Sequence, residues 1–138
     1  MNKILLIITG SIAASKCKEI ITLLNINEVK ISCILTKEAK KYVKISDIKK
    51  LLKNRIFTDE DEKKNKMLHI NLSRDNDIIV VCPATANSIA KFANGYGDNL
   101  ASNTLLASNK KILFVPAMNS FMWHNKINQK NVRLLKDS

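Results

Sequence analysis

The 138 residues suit one domain with a single sizeable core, and a chain 46% hydrophobic and 25% charged is of ordinary globular composition. The apolar run Ile4–Ile8 is far too short to span a membrane. Lys3 followed by that run does not make a signal peptide, because Thr9-Gly10 and a polar helical stretch follow, and a cytoplasmic protein is expected. The net charge of +11 comes mostly from lysine in a chain also rich in Ile and Asn, and aromatics are only 5%. That excludes a stacking surface for nucleic acid and fits a basic field that attracts small phosphorylated or carboxylated molecules. Cys17, Cys33 and Cys82 form no CxxC and no metal-ligand spacing, so free buried thiols in a reducing compartment are expected, and no metal site.

Lys3–Thr9 reads as a strand covered on both faces. It ends at Gly10-Ser11, after which Ile12, Ala13, Lys16, Ile20, Leu23 and Leu24 recur at helical spacing. Strand, Gly-Ser turn and helix make a first βα unit whose helix start favours an anion, although GxGxxG is absent and Gly10 could equally be a plain turn residue. Glu28–Leu35 is a second strand ending at Thr36, which suits either an N-cap or a ligand contact. Ile45, Ile48, Leu51 and Leu52 mark a helix, and the charged run Asp59–Lys64 reads as a solvated loop. In Leu68–Arg74 the leucines share one face and His69 points elsewhere.

Ile78–Cys82 is a core strand breaking at Pro83-Ala84-Thr85-Ala86-Asn87, with a short helix over Ser88–Phe92. Asn94–Asn99 holds two of the three glycines and is a plausible binding loop. Leu100–Ser108 is helical. Lys110–Val115 then reads as a buried strand that breaks at Pro116-Ala117-Met118-Asn119, and Lys126–Lys136 closes the chain as a polar helix. Two strands that each break at Pro-Ala and then present an Asn put two polar loops on one sheet edge, where open parallel sheets bind ligands. The fold expected is a single three-layer α/β domain over 1–138, Rossmann-like or flavodoxin-like, with at least four parallel strands and helices on both faces.

Five segments in order then carry a resemblance: Gly10-Ser11-Ile12-Ala13-Ala14-Ser15-Lys16, His69-Ile70-Asn71-Leu72-Ser73, Pro83-Ala84-Thr85-Ala86-Asn87, Gly97-Asp98-Asn99-Leu100, and Pro116–Trp123 with its PxMNxxMW pattern. Together they resemble the FMN-dependent cysteine decarboxylase family, most of all its phosphopantothenoylcysteine decarboxylase branch in coenzyme A biosynthesis. The resemblance implies FMN at the sheet edge, lined by Gly10, Ser11 and Ile12, touched by Thr36 and packed against Met118. Ala84, Thr85 and Ala86 would hold its phosphate and ribityl chain. Asn119 and Met122 would bind the substrate, Asn119 gripping its carboxylate, and His69 would be the catalytic base. In the family, flavin oxidises a cysteine thiol to a thioaldehyde, from which CO2 leaves to give an enethiol. A histidine near neutral pH suits proton removal from that thiol. The small phosphorylated cysteine substrate would sit between protomers of a homotrimer, with His69 serving a neighbouring subunit's FMN.

Beyond the position of Leu135 the family's pantetheine-forming members have a further strand and a loop bearing an active-site Cys, and bifunctional members add a synthetase domain. This sequence ends at Ser138 without them, which leads to the expectation of a stall at the enethiol. The alternatives are a peptidyl-cysteine decarboxylase, a non-catalytic FMN-binding or regulatory subunit and, less compatible with PxMNxxMW and His69, a flavin prenyltransferase.

Overall fold

The structure is a computed structural model describing residues 2–53 and 55–138. Strands β1 (Lys3–Ile8), β2 (Lys30–Leu35), β3 (Ile56–Phe57), β4 (Ile78–Ala84) and β5 (Lys111–Pro116) form one parallel sheet in the order β3-β2-β1-β4-β5. The helices are α1 (Cys17–Ile26), α2 (Ile45–Leu52), α3 (Asp59–Lys64), α4 (Leu68–Arg74), α5 (Ala86–Ala93), α6 (Leu100–Ala107), α7 (Ser120–His124) and α8 (Lys126–Asp137).

Alternation along the strands divides the core into two layers. Leu6, Ile8, Ile31, Cys33 and Leu35 point to one face, where Ala14, Cys17, Ile21, Ile48 and Leu52 cover them. Leu5, Ile7, Ile34, Ile79 and Val81 point to the other, under Leu68, Leu72, Ile89, Leu100 and Val132. Because β1 is central and buried on both faces, its sequence is an uninterrupted apolar run. Each fully buried Leu or Ile contributes about 1.5–3 kcal/mol relative to exposure. The order of chain growth reverses between β1 and β4, both of which are internal: the chain moves outward from β1 through β2 to β3, then crosses to β4 on the opposite side. Such a switch point opens a crevice at the carboxyl ends of the two strands.

Four expectations are corrected. The stretch after Gly10 opens as a 3-10 turn over Ile12–Lys16 before α1 begins at Cys17, which rotates the pattern: Ala14, Cys17 and Ile21 are buried, while Ile12 and Leu23 face out. The charged run is helical, not a solvated loop. Thr58 caps α3 in a reciprocal box with Asp61, whose carboxylate accepts from Thr58 N at 2.8 Å. On the edge strand β5, Leu113 and Val115 are exposed rather than buried, while Ile112 and Phe114 on the opposite face pack against the second core layer. Cys33 is buried as expected and Cys17 is buried too, but Cys82 is only half-buried.

Candidate functional site

A cavity of roughly 440 Å³ opens at the β1/β4 switch point. Gly10, Ser11, Ile12, Thr36, Thr85, Ala86, Met118 and Met122 all line it, so eight residues singled out from sequence converge there. Its size lies within the range of small-molecule and cofactor sites. A larger groove of about 1020 Å³ runs beside β5, among Ile112, Phe114, Leu105, Val132 and Leu135, and holds none of these residues.

Each wall of the smaller cavity has a local cause. Gly10 is there for space: a Cβ would stand 2.4 Å from Glu38 Cβ and 3.0 Å from the Glu38 carbonyl carbon. Ser11 caps the 3-10 turn by accepting from Ala13 N at 3.2 Å. Thr36 is buried and its hydroxyl is fully used, donating to Ile8 O at 3.1 Å and accepting from Ala39 N at 3.3 Å. The expected bond to a following N–H is thus present, at Ala39, and Thr36 also forms part of the cavity wall.

Thr85 is the N-cap of α5, accepting from Ser88 N at 3.1 Å and donating to Ser88 Oγ at 2.8 Å. That leaves the Ala86 and Asn87 N–H groups at the start of an eight-residue helix without an intrahelical acceptor, and both residues line the cavity. Hydroxyls and a helix start are suitable partners for a phosphate. Lys91 adds a cation on the same wall, held by Asp98 at 2.8 Å, and that contact keeps the Asp98 carboxyl below its ordinary range.

Three named residues do not line the cavity. Ala84 is fully buried, and its carbonyl accepts from Ala117 N at 3.1 Å, joining the two Pro-Ala breaks. Asn119 is exposed and caps α7, its Oδ1 accepting from Met122 N at 2.9 Å, which leaves the amide NH2 as its outward-facing donor. His69 sits on α4, between Leu68 and the Glu62 carboxylate of α3. Sequence reasoning missed Ser88 and Lys91 as cavity residues, the signal for Ser88 being the Thr85-x-x-Ser88 capping spacing. Asn99, from the loop marked as a binding element, also lines the cavity and accepts from Ser102 N at 2.8 Å at the start of α6.

Residues 1–138 match the Flavoprotein family. The chain belongs to that family. It is 33% identical to a probable phosphopantothenoylcysteine decarboxylase of Streptococcus mutans, over 98% of this chain and 78% of that protein. It is 34% identical to the epidermin decarboxylase of Staphylococcus epidermidis, over 99% of this chain and 74% of that protein. The chain spans only about a third of the bifunctional coenzyme A biosynthesis protein of Bacillus subtilis, covering 34% of its length at 31% identity. Among solved structures, the FMN-dependent cysteine decarboxylase SpaF superposes with a TM-score of 0.92 at 28% identity, covering 99% of this chain and 80% of that one. A phosphopantothenoylcysteine decarboxylase variant complexed with pantothenoylaminoethenethiol superposes at 0.86 with 29% identity, covering 99% and 78%. These neighbours share the three-layer parallel α/β architecture, and decarboxylases recur in both comparisons. No helix among the described residues is long and apolar enough to cross a membrane.

Proposed function

We propose that this chain is an FMN-dependent carboxy-lyase that acts on 4′-phosphopantothenoylcysteine in coenzyme A biosynthesis. The observation carrying the reading is the cavity at the β1/β4 switch point, where the family's motif residues meet a helix start and two hydroxyls suited to a phosphate. The donor set fits FMN: Thr85, Ser88 and the N-terminal N–H groups of α5 would hold its phosphate, and the apolar Ile12 and Met118 would flank its ring. When bound, FMN supplies the oxidation of the substrate's thiol.

The remaining work belongs to the chain. Asn119, turned by its capping bond so that the NH2 is free, would hold the substrate carboxylate without the strong ground-state stabilisation a cation would give. His69 would take the thiol proton. Because His69 lies outside the cavity lining, the reading pairs it with the cavity of another protomer, and a homotrimer is its natural form. Ile12, which lines the cavity and is 79% exposed, and Phe121, 90% exposed, are apolar surface that such an assembly would cover.

A peptide ending in cysteine is the second substrate reading. It is favoured by the 34% identity to epidermin decarboxylase and by the fit to a histidine variant of EpiD complexed with substrate peptide DSYTC, with a TM-score of 0.86 at 33% identity. The test is the visible spectrum of the purified protein with added FMN, its mass by light scattering, and CO2 release from both substrates. A protein that ignores FMN sinks the proposal. Release from the peptide alone transfers it to the second reading. Asn119→Asp and His69→Asn should abolish CO2 release while retaining FMN, whereas a binding subunit would release none even before substitution.

A further inference from the structure

We infer that Glu62 is a positioning residue for His69: its carboxylate, steadied by Asn103, fixes the imidazole with the proton on Nδ1 and leaves Nε2 as the acceptor. The inference rests on the reading of His69 as the base and adds the device that orients it.

Glu62 belongs to the acidic run that composition alone assigns to solvent, yet its side chain is 22% exposed and that of His69 27%. His69 Nδ1 is itself buried and has no hydrogen-bond partner among the described residues, and Glu62 Oε2 stands 3.8 Å from it. A buried ring nitrogen beside a carboxylate is satisfied by carrying a proton and donating it. The separation is longer than a formed hydrogen bond, as catalytic contacts often are before substrate tightens them.

The carboxylate is held in place independently of the histidine. Asn103 Nδ2 donates to the same Glu62 Oε2 at 3.0 Å, and Leu100 N donates to Asp59 Oδ1 at 3.0 Å. Asp59 and Glu62 are one turn apart on α3, as Leu100 and Asn103 are on α6, so the two bonds lock one helix against the other in a single register. Gly97 leaves room for this, since a Cβ there would lie 2.7 Å from Asn103 Oδ1. Of the four carboxylates in the run, Asp61 caps its own helix, Glu60 meets Lys63 at the surface and Asp59 ties α3 to α6, which leaves Glu62 aimed at the histidine.

In the proposed step the substrate's S–H bond breaks and an N–H bond forms at Nε2. The thiol becomes a thiolate, and the resulting imidazolium is stabilised by the Glu62 carboxylate on its other side. A misplaced tautomer would present an N–H where a lone pair is needed.

The experiment reads the tautomer directly. In full-length protein labelled with 15N and carrying His124→Gln, so that His69 is the one remaining histidine, ring-nitrogen shifts are recorded at a pH where the ring is neutral. The parent should show Nδ1–H. Glu62→Ala should move the population toward the Nε2–H form that a free imidazole prefers. FMN affinity should be unchanged, and kcat should fall roughly 10- to 100-fold at nearly constant KM for phosphopantothenoylcysteine, the scale seen when metal-bound histidines lose their orienting partner. Glu62→Met, similar in length but without an oxygen acceptor, gives the same reading should the alanine variant unfold. An unchanged tautomer in these variants overturns the inference, as does a shifted tautomer with unchanged kcat. A fully active His69→Asn variant would instead remove His69 as base while leaving the tautomer measurement to stand on its own.

Discussion

Gly10→Ala sets two opposed effects against each other, and the structure decides the sign. Gly95 is the one glycine with a positive φ, so alanine suits the backbone at Gly10. Through the unfolded chain alone the substitution would then stabilise by about 0.4–1 kcal/mol. Against this, the new Cβ would sit 2.4 Å from Glu38 Cβ, 3.0 Å from its carbonyl carbon and 3.2 Å from its Cα. No rotamer change relieves contacts with atoms fixed by the backbone. Glu38 is also braced, because the buried Ala39 beside it donates to Thr36 Oγ1 and Lys41 N donates to Glu38 O.

Overpacking of this kind costs about 1–3 kcal/mol. The net is a loss of about 1–2 kcal/mol, which in a domain of this size lowers Tm by roughly 3–10 °C. Gly10 and Glu38 also share the cavity wall, so moving them apart should weaken FMN by about tenfold, equivalent to ~1.4 kcal/mol. Thermal melts with and without FMN, together with fluorescence titration of the flavin, measure both effects. A variant that melts higher and binds FMN as before would refute the steric account.

Thr85→Val removes the α5 cap and one cavity hydroxyl; a loss of about 1 kcal/mol in urea unfolding is expected, with weaker FMN retention on dialysis, and unchanged retention would remove Thr85 from the phosphate site. Leu5→Ala empties a fully buried position on the central strand and should cost about 2–5 kcal/mol, a fall in urea midpoint that a well-packed core cannot hide. Among the thiols, Cys17 Sγ donates to the Cys82 carbonyl oxygen at 3.4 Å, and the Cys17 thiol beside it pulls the Cys82 thiol down to about 7, while Cys17 and the deeply buried Cys33 are pushed up. The thiolate is the reactive form, so iodoacetamide labelling of Cys82, followed by mass spectrometry, should rise as pH increases through about 7 while the other two stay unmodified. A midpoint above 8 would contradict the pairing.

Local chemistry made much of this protein readable from its residues. The continuous apolar run made Lys3–Thr9 legible as a strand covered on both faces, though not as the sheet's centre, and Pro83-Ala84 and Pro116-Ala117 marked, within a residue or two, where β4 and β5 end. Capping is likewise a short-range property, which is why the Thr36 hydroxyl could be read as an acceptor for a following N–H before any packing was known, whereas Thr85 and Asn119 stood out by their place after the Pro-Ala breaks and proved to be caps only in the structure. What sequence could not supply was anything fixed by neighbours distant along the chain. Ile112–Val115 has the composition of a buried strand, and only the strand order made it an edge. Gly10 looked like a turn residue until Glu38, from the end of another βα unit, was seen to occupy its side-chain space. The acidic run Asp59–Glu62 is by composition a solvated face; it is held in register as a helix because Leu100 N and Asn103 Nδ2, 41 residues away, donate to Asp59 and Glu62. Periodicity and capping operate within a few residues, whereas a carboxylate's partner is chosen by which helices the sheet places side by side.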